Sequence, residues 1–502
     1  RQTYPTLRRY FGSELSPGID GDPRIAILNV KTTGVAGYYA FTDEYPRSVS
    51  PYSNEREILY LNASAQRPGT RAYDGVLAHE FTHMIQFGVS RGGDTWLQEG
   101  QAELGARIVL GASSAGFAGS FLAQPDTQLN EWGEIGSPVG PHYGAAYLFL
   151  SYFADRYGGY AAVGRLIALG TRGPDAFDSA LRDMGIGRTF EQVVRDWLVA
   201  NYVRSPGADS PYRGYDGLTG RSGATRVSSL PYRRADTVHS YGADYIEIPA
   251  TDSEVAVEFE GARTAAIAGP APAEGAWQWW SNRGDVVDSR LTRRLDLPAL
   301  QRLTLSFKLW FDTERGFDYC YVEISDDNGR SWTVLSGRHS TALNNTGLSF
   351  GQAYTGRSGD GPNAEWVDEQ IDLTPYAGKP VLLRFEYVTD DAYNADGVGI
   401  DAIAIPEMGF FDGAEGSEDG WIAEGFVRTR NVVVPRYSVQ VFAPDGLGGS
   451  RLIELDADNR GRLVFRPGAA NADGVAAVVA IAGETRYTRR PTEYTLTIAR
   501  AR

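Results

Sequence analysis

Ala78-His79-Glu80-Phe81-Thr82-His83, followed closely by Trp96-Leu97-Gln98-Glu99-Gly100, decides how the first part of this chain is read. On a helix, positions 79 and 83 lie one turn apart on one face, so both imidazoles reach a common ion while Glu80 projects beside it. This is the His-Glu-x-x-His arrangement of a hydrolytic zinc site. Such a site takes three protein donors and keeps a fourth position for water. The chain has five histidines; His142, His239 and His339 lie elsewhere in the sequence, so the nearest good further donor is Glu99. Two antiparallel helices joined by a short turn would set it opposite His79 and His83. Glu103, one turn after Glu99, is the expected acceptor for the outer N–H of His79, with a solvated helix carboxylate as the alternative.

The charges suggest the chemistry. Two neutral imidazoles and one carboxylate leave the ion net positive, which lowers the pKa of a water in its fourth position towards ~7. Glu80 is then placed to take the proton as general base and return it to a leaving amine. A further donor must stabilise the oxyanion. Tyr143 is the choice for that donor, with His142 as its rival.

Outward from the motif, 73–87 has helical periodicity, with Val76, Leu77, Phe81, Met84 and Ile85 on its apolar side. Gly92-Gly93-Asp94-Thr95 interrupts it, and Thr95 is the expected cap of a second helix over 96–109. Strands are expected at 24–30, 37–41 and 57–62, and further helices at 143–157, 160–169 and 190–203. The stretch 111–141, rich in Gly, Ser and Gln, reads as a long surface segment. Asp20 and Asp22 fit a solvated turn better than a calcium loop.

At 502 residues the chain is long enough for about three domains. A net charge of −15 argues against nucleic acid or an anionic membrane surface as the main partner. Cys320 is the single cysteine, which rules out an intrachain disulfide. The longest apolar run, Val475 to Ala482, is far short of the ~20 residues of a membrane span, so no transmembrane segment is expected. The start at Arg1-Gln2-Thr3, without Met, is read as the mark of a removed leader and hence of a secreted or cell-surface protein.

After Ser205-Pro206-Gly207 the texture becomes β-branched, aromatic and turn-punctuated, and 303–311, 319–325, 381–388 and 398–405 alternate as half-buried strands do. The expected fold is multidomain: an α+β domain at 1–204, β-strands at 205–267, a jelly-roll β-sandwich at 268–407 and a C-terminal β-sandwich at 408–502. Strands of 225–262 are expected to pair with those of 425–502, leaving the jelly roll as an insertion. Ser325 to Trp332 fits the Asp-box hairpin and is read as structural. Asp390, Asp391, Asp396 and Asp401 cluster in sequence, with Asp396 and Asp401 as candidate calcium ligands. Arg283-Gly284-Asp285 is read as a chance tripeptide, and Trp277, Trp279 and Trp280 as sandwich core in preference to a sugar platform.

Asn54-Glu55-Arg56-Glu57-Ile58-Leu59-Tyr60, Ala78 to Gln86 and Asp94 to Gly100 together resemble the gluzincin zinc metallopeptidases, most closely the hyicolysin-like branch. The resemblance implies a thermolysin-like fold for 1–204, zinc on His79, His83 and Glu99, and Glu80 as catalytic base. Tyr143-Gly144-Ala145-Ala146-Tyr147 is similar to the segment in which aminopeptidase-type gluzincins carry a transition-state tyrosine. The gap from His83 to Glu99 is shorter than in thermolysin, so subsite geometry is not implied. Thr237 to Ile246, Trp279 to Asp285, Asp318 to Ser325 and Gly420 to Val427 resemble the β-rich C-terminal region of immune inhibitor A type metallopeptidases, which implies a MAM-like jelly roll. The expected function is that of a secreted zinc-dependent peptidase acting on proteins or peptides. The competing expectation is an adhesion or glycan-binding β-sandwich protein that touches cell surfaces and carries a vestigial peptidase domain. The intact His79, Glu80, His83 and Glu99 set weighs against it.

Overall fold

Hydrophobic periodicity switches from 3.6 to 2 after the first two hundred residues, and the secondary structure switches with it. The computed structural model describes residues 2–91, 93–111, 115–133, 137–170, 172–204, 221–391, 393–416, 420–446 and 448–501. The turn at Ser205-Pro206-Gly207 lies outside them. Two compact units emerge: Arg1–Ala265 together with Val434–Arg502, and Ala266–Val433.

The first unit opens with α1 (Thr3–Phe11), β1 (Ala26–Val30), β2 (Gly37–Tyr39), β3 (Ile58–Asn62), α2 (Arg71–Ser90) and α3 (Thr95–Leu110). It continues through α4 (Ala115–Ala123), α5 (Gly140–Tyr157), α6 (Tyr160–Ala168), α7 (Gly173–Asp183) and α8 (Phe190–Val203). The sheet runs β1-β3-β2, with β1 parallel and β2 antiparallel to β3. Thr70 starts α2 by accepting the Tyr73 N–H at 3.3 Å, and Thr189 with Gln192 closes a capping box on α8.

α5 is buried from Gly144 to Ala154, and its Phe149 packs on the rings of Trp96, Phe177, Phe190 and Trp197. α3 packs against both α2 and α5. A Cβ on Gly105 would lie 2.3 Å from Thr82 Oγ1 of α2, and one on Gly100 would lie 2.9 Å from Ala146 of α5. Only hydrogen at these two positions lets the three backbones come this close.

Two expectations are corrected here. The stretch 111–141 is not a plain surface segment: it holds α4, and Phe121, Leu122, Leu129 and Trp132 are buried. Phe117 and Phe121 are spaced for one helix face, and Phe121 stacks on Trp197 at 5.4 Å; the high Gly and Ser content obscured this. Thr95 is not the cap of α3 but its first residue. Asp94 occupies the cap position, and its carboxylate accepts the Gly173 N–H.

The same unit carries a β-sandwich. One sheet runs Ser450–Leu452, Tyr437–Phe442, Val475–Gly483, Asp244–Pro249, Thr225–Arg226; the other runs Arg460–Phe465, Val255–Gly261, Thr492–Arg500, Tyr232–Val238. Strands from 225–261 thus pair with strands from 437–500, around a core that includes Ile246, Val257, Val479 and Leu496. Polar contacts fasten this sandwich to the helices. Arg195 on α8 pairs with Glu484, and Arg486 pairs with Asp175, Asp178 and Glu191.

The second unit is a jelly-roll-like sandwich. Tyr319–Ser325, Pro380–Val388 and Asp288–Asp296 form the middle of one sheet, and Thr304–Asp312 and Gly397–Ile405 the middle of the other. Trp279 and Trp280 are buried, and Trp277 packs at the core edge beneath Arg428 at 3.9 Å. In the Asp-box hairpin, Asp327 accepts the N–H groups of Arg330 and Ser331, while Arg384 lies 3.7 Å over Trp332. No described helix is long and apolar enough to cross a membrane.

Candidate metal centre

Local helix geometry already brings the two histidines together: the Nε2 atoms of His79 and His83 stand 3.2 Å apart. α3 then sets Glu99 against them, with Oε2 at 3.1 Å from His79 Nε2 and 3.6 Å from His83 Nε2. Tetrahedral bonds of about 2.0–2.1 Å put neighbouring donors about 3.3 Å apart, which is the mean of these three edges. Glu99 Oε2 is buried and satisfied by no hydrogen bond. The donor set and its spacing therefore fit a zinc ion.

The outer ring nitrogens fix the tautomers. His79 Nδ1 lies 3.1 Å from Glu103 Oε1, and His83 Nδ1 lies 2.9 Å from Gln86 Oε1. Gln86 is oriented in turn, because its Nε2 donates to the Gln98 carbonyl at 2.9 Å and to Gln101 Oε1 at 2.8 Å. With both Nδ1 atoms serving as donors, both Nε2 lone pairs face the centre. Sequence reading named Glu103 but passed over Gln86. The signal was present, since Gln86 follows His83 by three residues on the same helix.

Electrostatics at the centre are set by burial and by the close carboxylates. Burial pulls the His79 imidazole down, but Glu103 and Glu99 outweigh it and hold the group well above its ordinary value. For Glu99, burial raises the carboxyl and the two imidazoles more than reverse this. Glu80 is buried within the same helix, and burial pushes its carboxyl up.

Tyr143 stands at the centre's edge, its ring 6.3 Å from that of His79. Phe117 stacks on it at 4.8 Å and Trp132 meets it edge-on at 4.6 Å. Burial and then the charges of Glu99 and Glu103 push the phenol far up, so it stays a donor. Its rival His142 is held through Nδ1 by the Glu131 carbonyl at 2.7 Å. Neither Trp132 nor Phe117 was expected at the site, because both lie in the stretch read as surface.

The sandwich of the same unit holds this wall in place. Asp126 accepts the His239 N–H at 2.8 Å and pairs with its ring at 2.9 Å. Gln128 donates to the Thr488 carbonyl at 3.2 Å, and Glu131 pairs with Arg489.

The structure does not group Asp396 with Asp401. Asp401 accepts the N–H groups of Ala273, Glu274 and Ala402, and Asp396 accepts that of Gly269. Among the described residues of the jelly roll, Glu314, Asp318 and Asp390 each offer a carboxylate oxygen within 4.8 Å of the others. Burial and then Asp390 lift Asp318 to about 9, and burial with Asp390, Asp391 and Asp285 lifts Glu314 to about 8.

Residues 244–431 match the family model of the immune inhibitor A-like MAM domain. The β-rich second unit fits that MAM domain, and the match begins in the strand Asp244–Pro249 of the first unit's sandwich. The chain is 35% identical over 165 residues to the pre-pro-metalloprotease PrtV of Vibrio cholerae, covering 32% of this chain and 17% of PrtV. It is 24% identical over 209 residues to Immune inhibitor A of Bacillus thuringiensis subsp. alesti, covering 40% of this chain and 28% of that protein. Bacillopeptidase F of Bacillus subtilis (strain 168) matches at 27% over 110 residues, which is 22% of this chain and 6% of that protein. The chain thus spans less than a third of the length of each of these curated relatives.

Proposed function

We propose that this chain is a secreted zinc peptidase of gluzincin type, with a thermolysin-like catalytic part at 1–204 close to the hyicolysin-like branch. The observation that carries the reading is the convergence of His79 Nε2, His83 Nε2 and the unsatisfied Glu99 Oε2 within 3.6 Å of one another. PrtV, a relative named as a metalloprotease, supports it at the family level. A zinc ion held there supplies Lewis acidity to water and to the scissile carbonyl.

The chain's own residues do the rest. Glu80 takes the proton of the attacking water and hands it to the leaving amine. Tyr143, held between Phe117 and Trp132, donates to the developing oxyanion. Glu103 and Gln86 keep the two imidazoles in the Nδ1–H tautomer. For a structural calcium ion in the jelly roll, Glu314, Asp318 and Asp390 are better candidate ligands than Asp396 and Asp401, because their carboxylate oxygens lie within 4.8 Å of one another.

The test is metal analysis together with hydrolysis of a casein-type substrate. One equivalent of zinc and a proteolysis that chelation removes and zinc restores are expected. A protein that takes up no zinc, or that cuts equally well without it, overturns the reading.

Two substitutions probe the supporting residues. Gln86→Leu should weaken zinc binding about 10- to 100-fold, measured by competition with a chromogenic chelator; a folded variant of unchanged affinity would refute the role. Tyr143→Phe should lower kcat about 10²-fold with little change in KM. A kcat within twofold of the parent would remove Tyr143 from the mechanism.

A further inference from the structure

Where α2, α3 and α6 meet, they leave a cavity of about 10 Å³, the room that one water molecule needs. Gln86 and Ser90 line it from α2, Gln98 and Gln101 from α3, Leu166 from α6, and Gly170 from the turn beyond. Gln86 and Gln101 are 3% and 2% exposed, so their amides depend on partners inside the protein.

A side-chain amide offers one accepting oxygen and two N–H donors. Gln86 uses all three: Oε1 accepts from His83 Nδ1 at 2.9 Å, and Nε2 donates to the Gln98 carbonyl at 2.9 Å and to Gln101 Oε1 at 2.8 Å. Gln101 is met on one side only. Its Oε1 serves Gln86, while its Nε2 is buried and reaches no acceptor of the protein.

Turning either amide over gives a worse arrangement. A reversed Gln101 would set its N–H groups against those of Gln86. A reversed Gln86 would set N–H against His83 Nδ1, and the imidazole would then have to carry its proton on Nε2, the nitrogen that faces Glu99 and His79. The pair therefore has one workable orientation, and it leaves a Gln101 donor to be met at the cavity. A buried donor without an acceptor is unfavourable, and a bound water is the usual remedy.

We propose that Gln101 is a positioning residue of the metal centre, held by one water in this cavity that accepts from its Nε2. Gln101 Oε1 and the Gln98 carbonyl together keep Gln86 from turning over, and Gln86 keeps the proton of His83 on Nδ1. The role rests on the zinc reading of the centre, but it concerns residues that touch neither the ion nor a substrate.

The experiment compares the full-length parent with Q101M and Q101E, measuring zinc affinity by competition with a chromogenic chelator and the visible absorption of the cobalt-loaded proteins. Met fills the same space and accepts nothing from Gln86. Q101M should bind zinc about five- to tenfold more weakly, a smaller loss than that of a direct partner, and its cobalt spectrum should change. Glu keeps an oxygen for Gln86 and presents a second oxygen to the cavity, to which a water donates as readily as it accepts from the amide. Q101E should therefore restore parental affinity and spectrum. A Q101M within twofold of the parent in affinity, with the parental spectrum, would overturn the positioning role; a Q101E as weak as Q101M would overturn the water. Should Q101M not fold, Q101N stays polar but is one methylene too short to reach Gln86, and parental affinity there overturns the role equally. A parent that takes up no zinc is a failure of the zinc reading itself and removes the role with it.

Discussion

Glu80→Gln is expected to lower kcat by about 10²–10⁴-fold while zinc content and Tm stay at parental values. The amide keeps the shape of the side chain on α2 and its burial against the core, and Glu80 is not among the three converging donors. What it loses is the ability to accept a proton from water. Loss of zinc together with activity would show that Glu80 holds the centre together and does not act as base. Undiminished cleavage would remove it from the chemistry altogether.

Glu99→Gln is the second large effect. Its carboxylate supplies one of three donors and the only negative charge among them, so zinc affinity should fall by more than the 10- to 100-fold cost of losing an outer partner such as Gln86. Proteolysis at limiting zinc should disappear. The fold of the ion-free protein should persist, because α3 is held by Gly100 against α5 and Gly105 against α2 and does not depend on the metal. Metal titration followed by competition separates the two outcomes. Parental zinc affinity in the variant would sink the three-donor centre.

The two variants also distinguish ways of being wrong. If the β-sandwich units carry the function and the catalytic part is vestigial, neither substitution alters the binding of that partner. The burial of Trp279 and Trp280 takes two of the three tryptophans away from any sugar platform.

Much of the centre was legible in the chain because it depends on short-range geometry. His79 and His83 share a face through helix periodicity alone, and Glu99 and Glu103 follow after one turn. The outer bond from His79 to Glu103 is a consequence of the same spacing once α2 and α3 pack. Gln86 follows the same rule and could have been named from it. Trp132 and Phe117 could not: Trp132 is set on Tyr143 where 126–131 is anchored to His239, Thr488 and Arg489, more than a hundred positions away, and Phe117 reaches it through the packing of α4 on α5.

The acidic residues show the same division. Asp396 and Asp401 stand together in sequence, yet each is used to cap backbone N–H groups. The oxygens that meet in space, on Glu314, Asp318 and Asp390, come from separate segments of the jelly roll.

By itself, then, the sequence located α2, α3, α5, α6 and α8, the three strands β1, β2 and β3 and the central strands of the jelly roll, the face of α2 that His79 and His83 share, and the nearby carboxylate that opposes it. These are properties of local periodicity and capping, fixed within a few residues. The sequence suggested that strands of 225–262 pair with strands of 425–502, but tertiary structure alone decided which strand neighbours which and in what register, and which of many buried carboxylates are left with an oxygen unmet. The physical reason is that alternation in a strand specifies its buried face but not its neighbour. In the same way, the cost of an unpaired charge exists only once packing has removed the water around it.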